Sequence, residues 1–289
     1  MADAIVAPPR IVGDPSIGRR KNTGRSALGL RLIATLYVAV LVLLPVVLII
    51  WRTFKPGLSE FFDALSQTET THAFELTAIV AGSAVVLNTI FGIGVALLLA
   101  RYRFPGRGLL SAFIDLPVSI SPIVVGLALI LVYGHGGWLG GTVATIGISV
   151  IGSIPGMVLA TVFVSLPLVA RAVIPVLENE GTEQEQAAQS LGANALSRFV
   201  RITLPTIRTA AAYGVVLSFA RCLGEYGAVL VVSGNFEGQT ETATLRIDNL
   251  YELDLNADAA YAVTFVLVAV AVAAIVLISF IRRRQERAS

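Results

Sequence analysis

The chain has 289 residues, 55% of them hydrophobic and 14% charged, with a mean hydropathy of +0.80. That composition excludes a water-soluble globular domain and points to a polytopic membrane protein. The formal net charge is only +2, so the placement of charge carries more than its sum, and the lone Cys222 excludes an intrachain disulfide.

Residues 1–31 mix Pro, Gly and Arg with no sustained period and are predicted to be a disordered basic tail. A cleaved signal is not expected, because the apolar run behind the tail is too long for a signal core and no small-residue cleavage site follows it. Residues 32–281 are predicted to form an all-α membrane domain of six transmembrane helices, and residues 282–289 a second basic tail. The runs are Leu32–Trp51 with Pro45 inside, Leu76–Ala100, Leu109–Tyr133, Ile154–Ala170, Ile207–Val232 and Ala259–Ile281. Of the 21 Lys and Arg, all but four fall on one face: Arg52, Lys55 and Arg246 lie on the other and Arg221 within the membrane. The positive-inside rule therefore predicts that both termini are cytoplasmic, together with the loop between spans four and five.

The third run carries Asp115 just before Pro117, Ser119, Ser121 and Pro122. Its prolines free backbone carbonyls that the two serines or water must satisfy, so the segment is either the wall or gate of a polar path or an internally satisfied kink. Asp115 is expected to partner Arg107 or Arg221. The glycine-rich stretch Gly134–Gly156 has no lysine and is predicted as an external hairpin or re-entrant piece rather than a phosphate loop. His72 and His135 are assigned to separate external loops, so no catalytic metal site is expected.

Thr182–Pro205, TEQEQAAQSLGANALSRFVRITLP, is a polar insertion with its own helix grammar. Thr182 and Glu185 stand at capping-box spacing, Ala187 and Ala188 are small enough for close approach, and Gly192 sits where a left-handed residue stops a helix. A second helical piece, Ala193–Arg201, is predicted to end before Pro205. These residues resemble the signature of the membrane permeases of importers driven by ATP-binding-cassette subunits, E-A-A-x3-G-x9-I-x-L-P. Gln186-Ala187-Ala188, Gly192, Ile202, Leu204 and Pro205 match at the right spacing, with Gln186 in the glutamate place and Glu185 just before it. The resemblance implies a coupling helix that docks in a cleft of the ATPase, with either Glu185 or Gln186 making the polar contact. The chain has only two lysines, Lys21 and Lys55, and neither follows a phosphate-binding turn, so it is expected to be non-catalytic and its energy to come from a partner.

Arg221 and Glu225 are four apart in the fifth run and are predicted to share a helix face with Gly214, Ser218 and Ala228. That face either lines a translocation path or fixes packing through an ion pair. Cys222 is assigned to packing. Ser218–Asn235, with Gly224-Glu225-Tyr226-Gly227-Ala228-Val229 and Val231-Val232-Ser233-Gly234, is similar to the sulfate-importer permeases, closer to the W-type subunit. Gln239-Thr240, Thr242–Ile247, Asp115-Leu116-Pro117 and Ser121-Pro122 extend that likeness.

What the likeness implies is a permease subunit of the bacterial inner membrane that moves a tetrahedral oxyanion by alternating access. Sulfate is the leading substrate, thiosulfate is included, and molybdate or tungstate is the alternative. The implied partners are a second related permease subunit in a heterodimer, two ATPase subunits holding ATP and Mg, an extracytoplasmic sulfate-binding protein and membrane lipid. No nucleic acid is expected. A proton-coupled secondary carrier using Asp115, Arg221 and Glu225 is the rival from another class, though it offers no reason for the Thr182–Pro205 grammar. The last outer loop sets Glu237, Glu241, Asp248, Glu252, Asp254 and Asp258 against Arg246. A face of that charge repels free anion, so it is read either as a docking surface for a loaded binding protein or as a plain solvated loop.

Overall fold

The computed structural model describes residues 25–145, 147 and 149–286, without the side chains of 25–28 and 281–286. Most of the predicted N-terminal tail and the last residues of the C-terminal one lie outside the described residues. The chain divides into two compact units, Met1–Leu48 and Ile49–Ser289. Among the described residues there is no strand. In hydrocarbon an apolar run must satisfy its backbone internally, and a helix does so within one segment.

Helix α1 (Arg25–Phe54) carries Pro45 within it and begins inside the stretch predicted as tail. Its apolar window is followed on both sides by residues that no proline interrupts, so the helix runs past the hydrophobic limits. After Gly57 the amphipathic α2 (Leu58–Ser66) lays Phe61 against Phe54 and Phe265, at ring-centre distances of 5.3 and 6.0 Å. Helix α3 (Thr68–Arg101) is one long span, and His72, assigned above to a loop, lies near its start.

The third predicted span is two helices, α4 (Arg107–Ser119) and α5 (Pro122–Tyr133), bent by 114°. Pro117 is buried within α4, whereas Ile120 and Ser121 are extended before Pro122, the conformation imposed on a residue preceding proline. The glycine-rich segment folds as tight turns around the short α6 (Gly140–Thr145), where a Cβ on Gly140 would collide with the Gly134 carbonyl. It is tied inward by Gly152 N–H donating to the Val232 carbonyl at 2.8 Å.

Helix α7 (Ile154–Glu180) extends well past its predicted end at Ala170, taking in Arg171 and Pro175. It is the centre of the second unit. A Cβ on Gly92 of α3 would lie 2.8 Å from Val169 Cβ, and one on Gly214 would lie 2.9 Å from Val169 Cα, so two glycines let two helices close on one residue of α7. Beside them Asn88 Nδ2 donates to Ser165 Oγ at 2.7 Å, both side chains buried.

A short α8 (Glu183–Ser190) and a one-turn α9 (Ala195–Arg198) follow, and α9 does not stop before Pro205. Its helix widens into a π turn over Phe199–Thr203 and continues as α10 (Leu204–Leu223), so that Pro205 falls in the first turn of the new segment, where its missing N–H costs least. The predicted fifth span then breaks at Gly224, and α11 (Gly227–Ser233) is a separate helix. Helix α12 (Ala243–Asp248) lies in the loop before α13 (Ala257–Glu286). Among the described residues, five helices are long and apolar enough to cross a membrane, and the bent pair makes up to six.

Candidate functional site

In the loop between α7 and α10, the predicted stop at Gly192 has a physical form. Gly192 is left-handed at φ 85°, its N–H donates to the Gln189 carbonyl at 2.9 Å, and Ala193 N–H donates to the Ala188 carbonyl at 3.0 Å. This double closure satisfies the last carbonyls of α8. Asn194 then caps the next turn, its side chain accepting from Ser197 N–H at 2.8 Å.

The predicted capping box does not form. Thr182 makes no side-chain cap bond and accepts instead from Gln186 Nε2 at 2.9 Å. Glu185 turns inward: its Oε1 accepts from Arg101 Nη2 at 3.1 Å and from Thr203 Oγ1 at 2.9 Å. A partly buried cation outcompetes a backbone N–H that water can solvate. Arg101, counted from sequence only as a cytoplasmic charge, also donates from Nη1 to the Leu177 carbonyl at 2.6 Å, in the last turn of α7. Gln186, Ala187, Leu191 and Leu196 are exposed, while Ile202, Leu204 and Pro205 carry the loop into α10.

Within the apolar region Asp115 does not pair with Arg107 or Arg221. It accepts from Arg171 Nε at 2.7 Å, and Arg107 pairs with Glu178 at 3.1 Å. Both pairs join α4 to α7, because the unforeseen extension of α7 carries Arg171 and Glu178 alongside α4. Ser119 and Ser121 are exposed at the break.

Arg221 and Glu225 do pair, Nη1 to Oε2 at 2.7 Å, but not along one helix. Arg221 lies in the last turn of α10 with 38% of its side chain exposed, while Glu225 stands in the break, 2% exposed, its Oε1 accepting from Ala228 N–H at 3.0 Å. Gly214 and Ser218, placed with them from sequence, face inward. Ser218 is fully buried, 4.0 Å from Cys222 Sγ, which lies 3.2 Å from Ser165 Oγ. The two breaks adjoin, for a Cβ on Gly227 would lie 3.2 Å from Pro122 Cβ.

Helix α12 braces this region from outside. Thr244 Oγ1 donates to the Glu225 carbonyl at 2.8 Å, Tyr226 donates to Asp248 at 3.0 Å, and Ala243 N–H donates to Thr77 Oγ1 at 2.8 Å. The acidic loop is not uniformly a solvated surface. Arg246 is buried on α12 and lies 2.6 Å from Glu237, 3.8 Å from Glu241 and 3.8 Å from Asp254. Glu241 has no exposed surface and accepts from Asn249 Nδ2 at 2.6 Å. Burial raises its pKa above the ordinary carboxylate value, against the lowering by Asn249 and Arg246. Among the described residues no group of His, Cys, Asp and Glu could hold a metal ion.

Residues 88–288 match the family described as the binding-protein-dependent transport system inner membrane component. The chain is 44% identical over 252 residues to the sulfate transport system permease protein CysW of a Synechocystis species, covering 87% of this chain and 91% of the relative. It is 38% identical over 228 residues to the sulfate transport system permease protein CysT of Salmonella typhimurium, covering 78% and 82%. A bacterial alginate ABC transporter, solved in complex with an alginate pentasaccharide-bound periplasmic protein, contains a chain with TM-score 0.74 at 17% identity, covering 90% of this chain and 94% of that one.

Proposed function

This chain belongs to the binding-protein-dependent transport system inner membrane components, among the sulfate transport permeases of the CysW type, and on that premise we propose that it carries sulfate inward by alternating access coupled to a separate ATPase. The observation that carries the coupling is α8. Its end is closed by a left-handed glycine and its outer side is polar, with the small Ala187 and Ser190 exposed on it, while its inner side is anchored to the membrane helices, as a part that receives a push must be. Two ATPase subunits holding ATP and Mg supply the energy, and an extracytoplasmic binding protein delivers the anion. A related permease of the T type forms the other half of a heterodimer. Both termini and α8 face the cytoplasm, a reading supported by the charge distribution.

The path runs along the adjoining breaks. Ser119 and Ser121 offer hydroxyls on one side and Arg221 a half-exposed guanidinium on the other, with Glu225 holding that guanidinium in place. Asp115, Pro117 and Ser218 shape the walls through their helices rather than by touching the anion. A guanidinium fork suits a tetrahedral oxyanion, and the paired carboxylate limits how tightly it is held.

The test is uptake into proteoliposomes containing this chain, its partner permease and the ATPase, supplied with binding protein and sulfate, thiosulfate, molybdate or tungstate. ATP-dependent uptake of sulfate, with thiosulfate competing, is the expected result. Uptake driven by a proton gradient in the absence of the ATPase would place the chain in a different class of carrier. Preference for molybdate or tungstate would move the substrate while keeping the mechanism.

A further inference from the structure

Two acidic or amide side chains stand side by side at the signature position, and the structure separates their roles. Gln186 is exposed, and the only bond it makes from its side chain among the described residues is to Thr182, one turn back on the same short segment. Glu185 is 20% exposed and bridges three helices. One carboxylate oxygen receives Arg101, the last residue of α3, and Thr203, a buried residue of the π turn leading into α10. Arg101 is 11% exposed and uses its other terminal nitrogen on the end of α7. The helices tied together through this carboxylate and Arg101 are therefore the same α3, α7 and α10 that pack around Val169 in the core.

We infer that Glu185 is a positioning residue that latches α8 to the cytoplasmic ends of α3, α7 and α10 through Arg101 and Thr203, and that the contact with the ATPase is made instead by Gln186, Ala187, Leu191 and Leu196. This inference rests on the reading of α8 as the coupling helix and deepens it. Leu191 is 89% exposed and Leu196 is 71% exposed, the two most exposed large apolar side chains of the loop, and so the ones best placed to enter a pocket of the ATPase. The latch makes a specific mechanical claim. Displacement of α8 by the ATPase reaches the core through a charge-assisted bond to α3 and a hydroxyl bond to α10, in addition to the covalent link through Gly181. Without those bonds α8 moves as a flap hinged on glycine, since Gly181 and Gly192 are both left-handed.

The variants that separate this from direct contact are Glu185→Gln, Arg101→Gln, the double variant of both, and Leu191→Ser, each assembled with the partner permease. Two readouts are taken: affinity for the ATPase, and sulfate-stimulated ATP hydrolysis in proteoliposomes at saturating ATPase. The latch predicts that Glu185→Gln and Arg101→Gln each bind the ATPase within about threefold of wild type yet lose about tenfold of the stimulation, and that the double variant loses no more than the worse single one. Leu191→Ser should do the opposite, weakening ATPase binding by about tenfold while the bound fraction keeps its stimulation. Weakened ATPase binding in Glu185→Gln with normal binding in Arg101→Gln, or multiplied effects in the double variant, overturns the latch and puts Glu185 in the contact surface. Thr203→Ala removes a single hydrogen bond and carries the same test should the charge variants fail to insert. It should lose part of the stimulation, and full stimulation overturns the proposal. Failure of the wild-type chain to bind the ATPase at all strikes the coupling reading instead, so the two failures are told apart.

Discussion

The loop between α7 and α10 and the loop between α11 and α13 both pair glutamate with arginine, and they do so in opposite ways. In the first loop one glutamate turns inward to an arginine that lies 84 residues away, and none of the remainder of the short helix is buried. In the second loop the arginine itself is buried, and glutamates from its own neighbourhood close over it. The first arrangement withdraws one carboxylate from an otherwise exposed helix and the second hides charge that a count along the sequence assigns to the surface. The difference teaches that net charge in a window predicts a surface only when the window does not fold on itself. Here α12 folds back to brace Glu225 and Tyr226, and its arginine goes with it.

The comparison is broken most sharply by topology. In a Cys222→Ser background, Leu253→Cys should react fully with an impermeant thiol reagent applied to intact cells, and Leu191→Cys should react only after permeabilisation, both positions being well exposed. Labelling of both from outside would remove the opposition of the two loops.

Next in size is the outer clamp. Arg246→Met strips the cation from a carboxylate with no exposed surface and should destabilise the folded chain by about 3–5 kcal/mol, read as a lower midpoint of thermal unfolding in detergent. Glu237→Gln touches the same arginine from a side chain 60% exposed and should cost less than about 1 kcal/mol. Equal effects of the two would mean that burial does not decide what the clamp contributes.

The smallest effect is with pH and turns on Glu241. Its folded pKa is raised, so the folded state holds a proton that the unfolded state releases between the ordinary carboxylate pKa and the raised value. This contribution to stability is full below the ordinary value and is lost as pH rises through the raised one. Glu241→Gln fixes the neutral form, so the midpoint of wild type should approach that of the variant on mild acidification and fall below it toward neutral pH. A difference independent of pH between the two sinks the assignment.

Much of the loop between α7 and α10 was legible because its information is local. A left-handed glycine, small residues and the spacing to Pro205 are properties of neighbouring positions, and the stop at Gly192 formed as the spacing required. The capping box, equally local in appearance, failed because Arg101 of α3 offered Glu185 a stronger partner than a solvated N–H. Pro205 misled for a related reason: a π turn absorbs the missing donor, and nothing in the sequence distinguishes a proline that ends a helix from one that a widened turn admits. The sequence points Asp115 to Arg107 or Arg221 and not to Arg171 because hydrophobicity falls at Ala170, whereas α7 continues to Glu180. Arg107, Asp115, Arg171 and Glu178 satisfy one another between α4 and α7, so the helix persists beyond its apolar limit. Thr203 and Arg101 carried no signal of their joint role, and the only hint was a basic residue at the end of a long apolar run.

By itself the sequence determined that this is an all-helical membrane chain, where its apolar runs lie and which loop bears the importer signature, because hydropathy and short-range spacing depend only on order along the chain. The tertiary structure decided that the third and fifth runs break and adjoin, that Arg221 and Glu225 meet across a break, and that Arg246 is buried while Gln186 is not. Those outcomes depend on which charges come within a few ångströms once α3, α7 and α10 close around Val169. In a low-dielectric interior it is that proximity, and not the count, that fixes where a charge can stay.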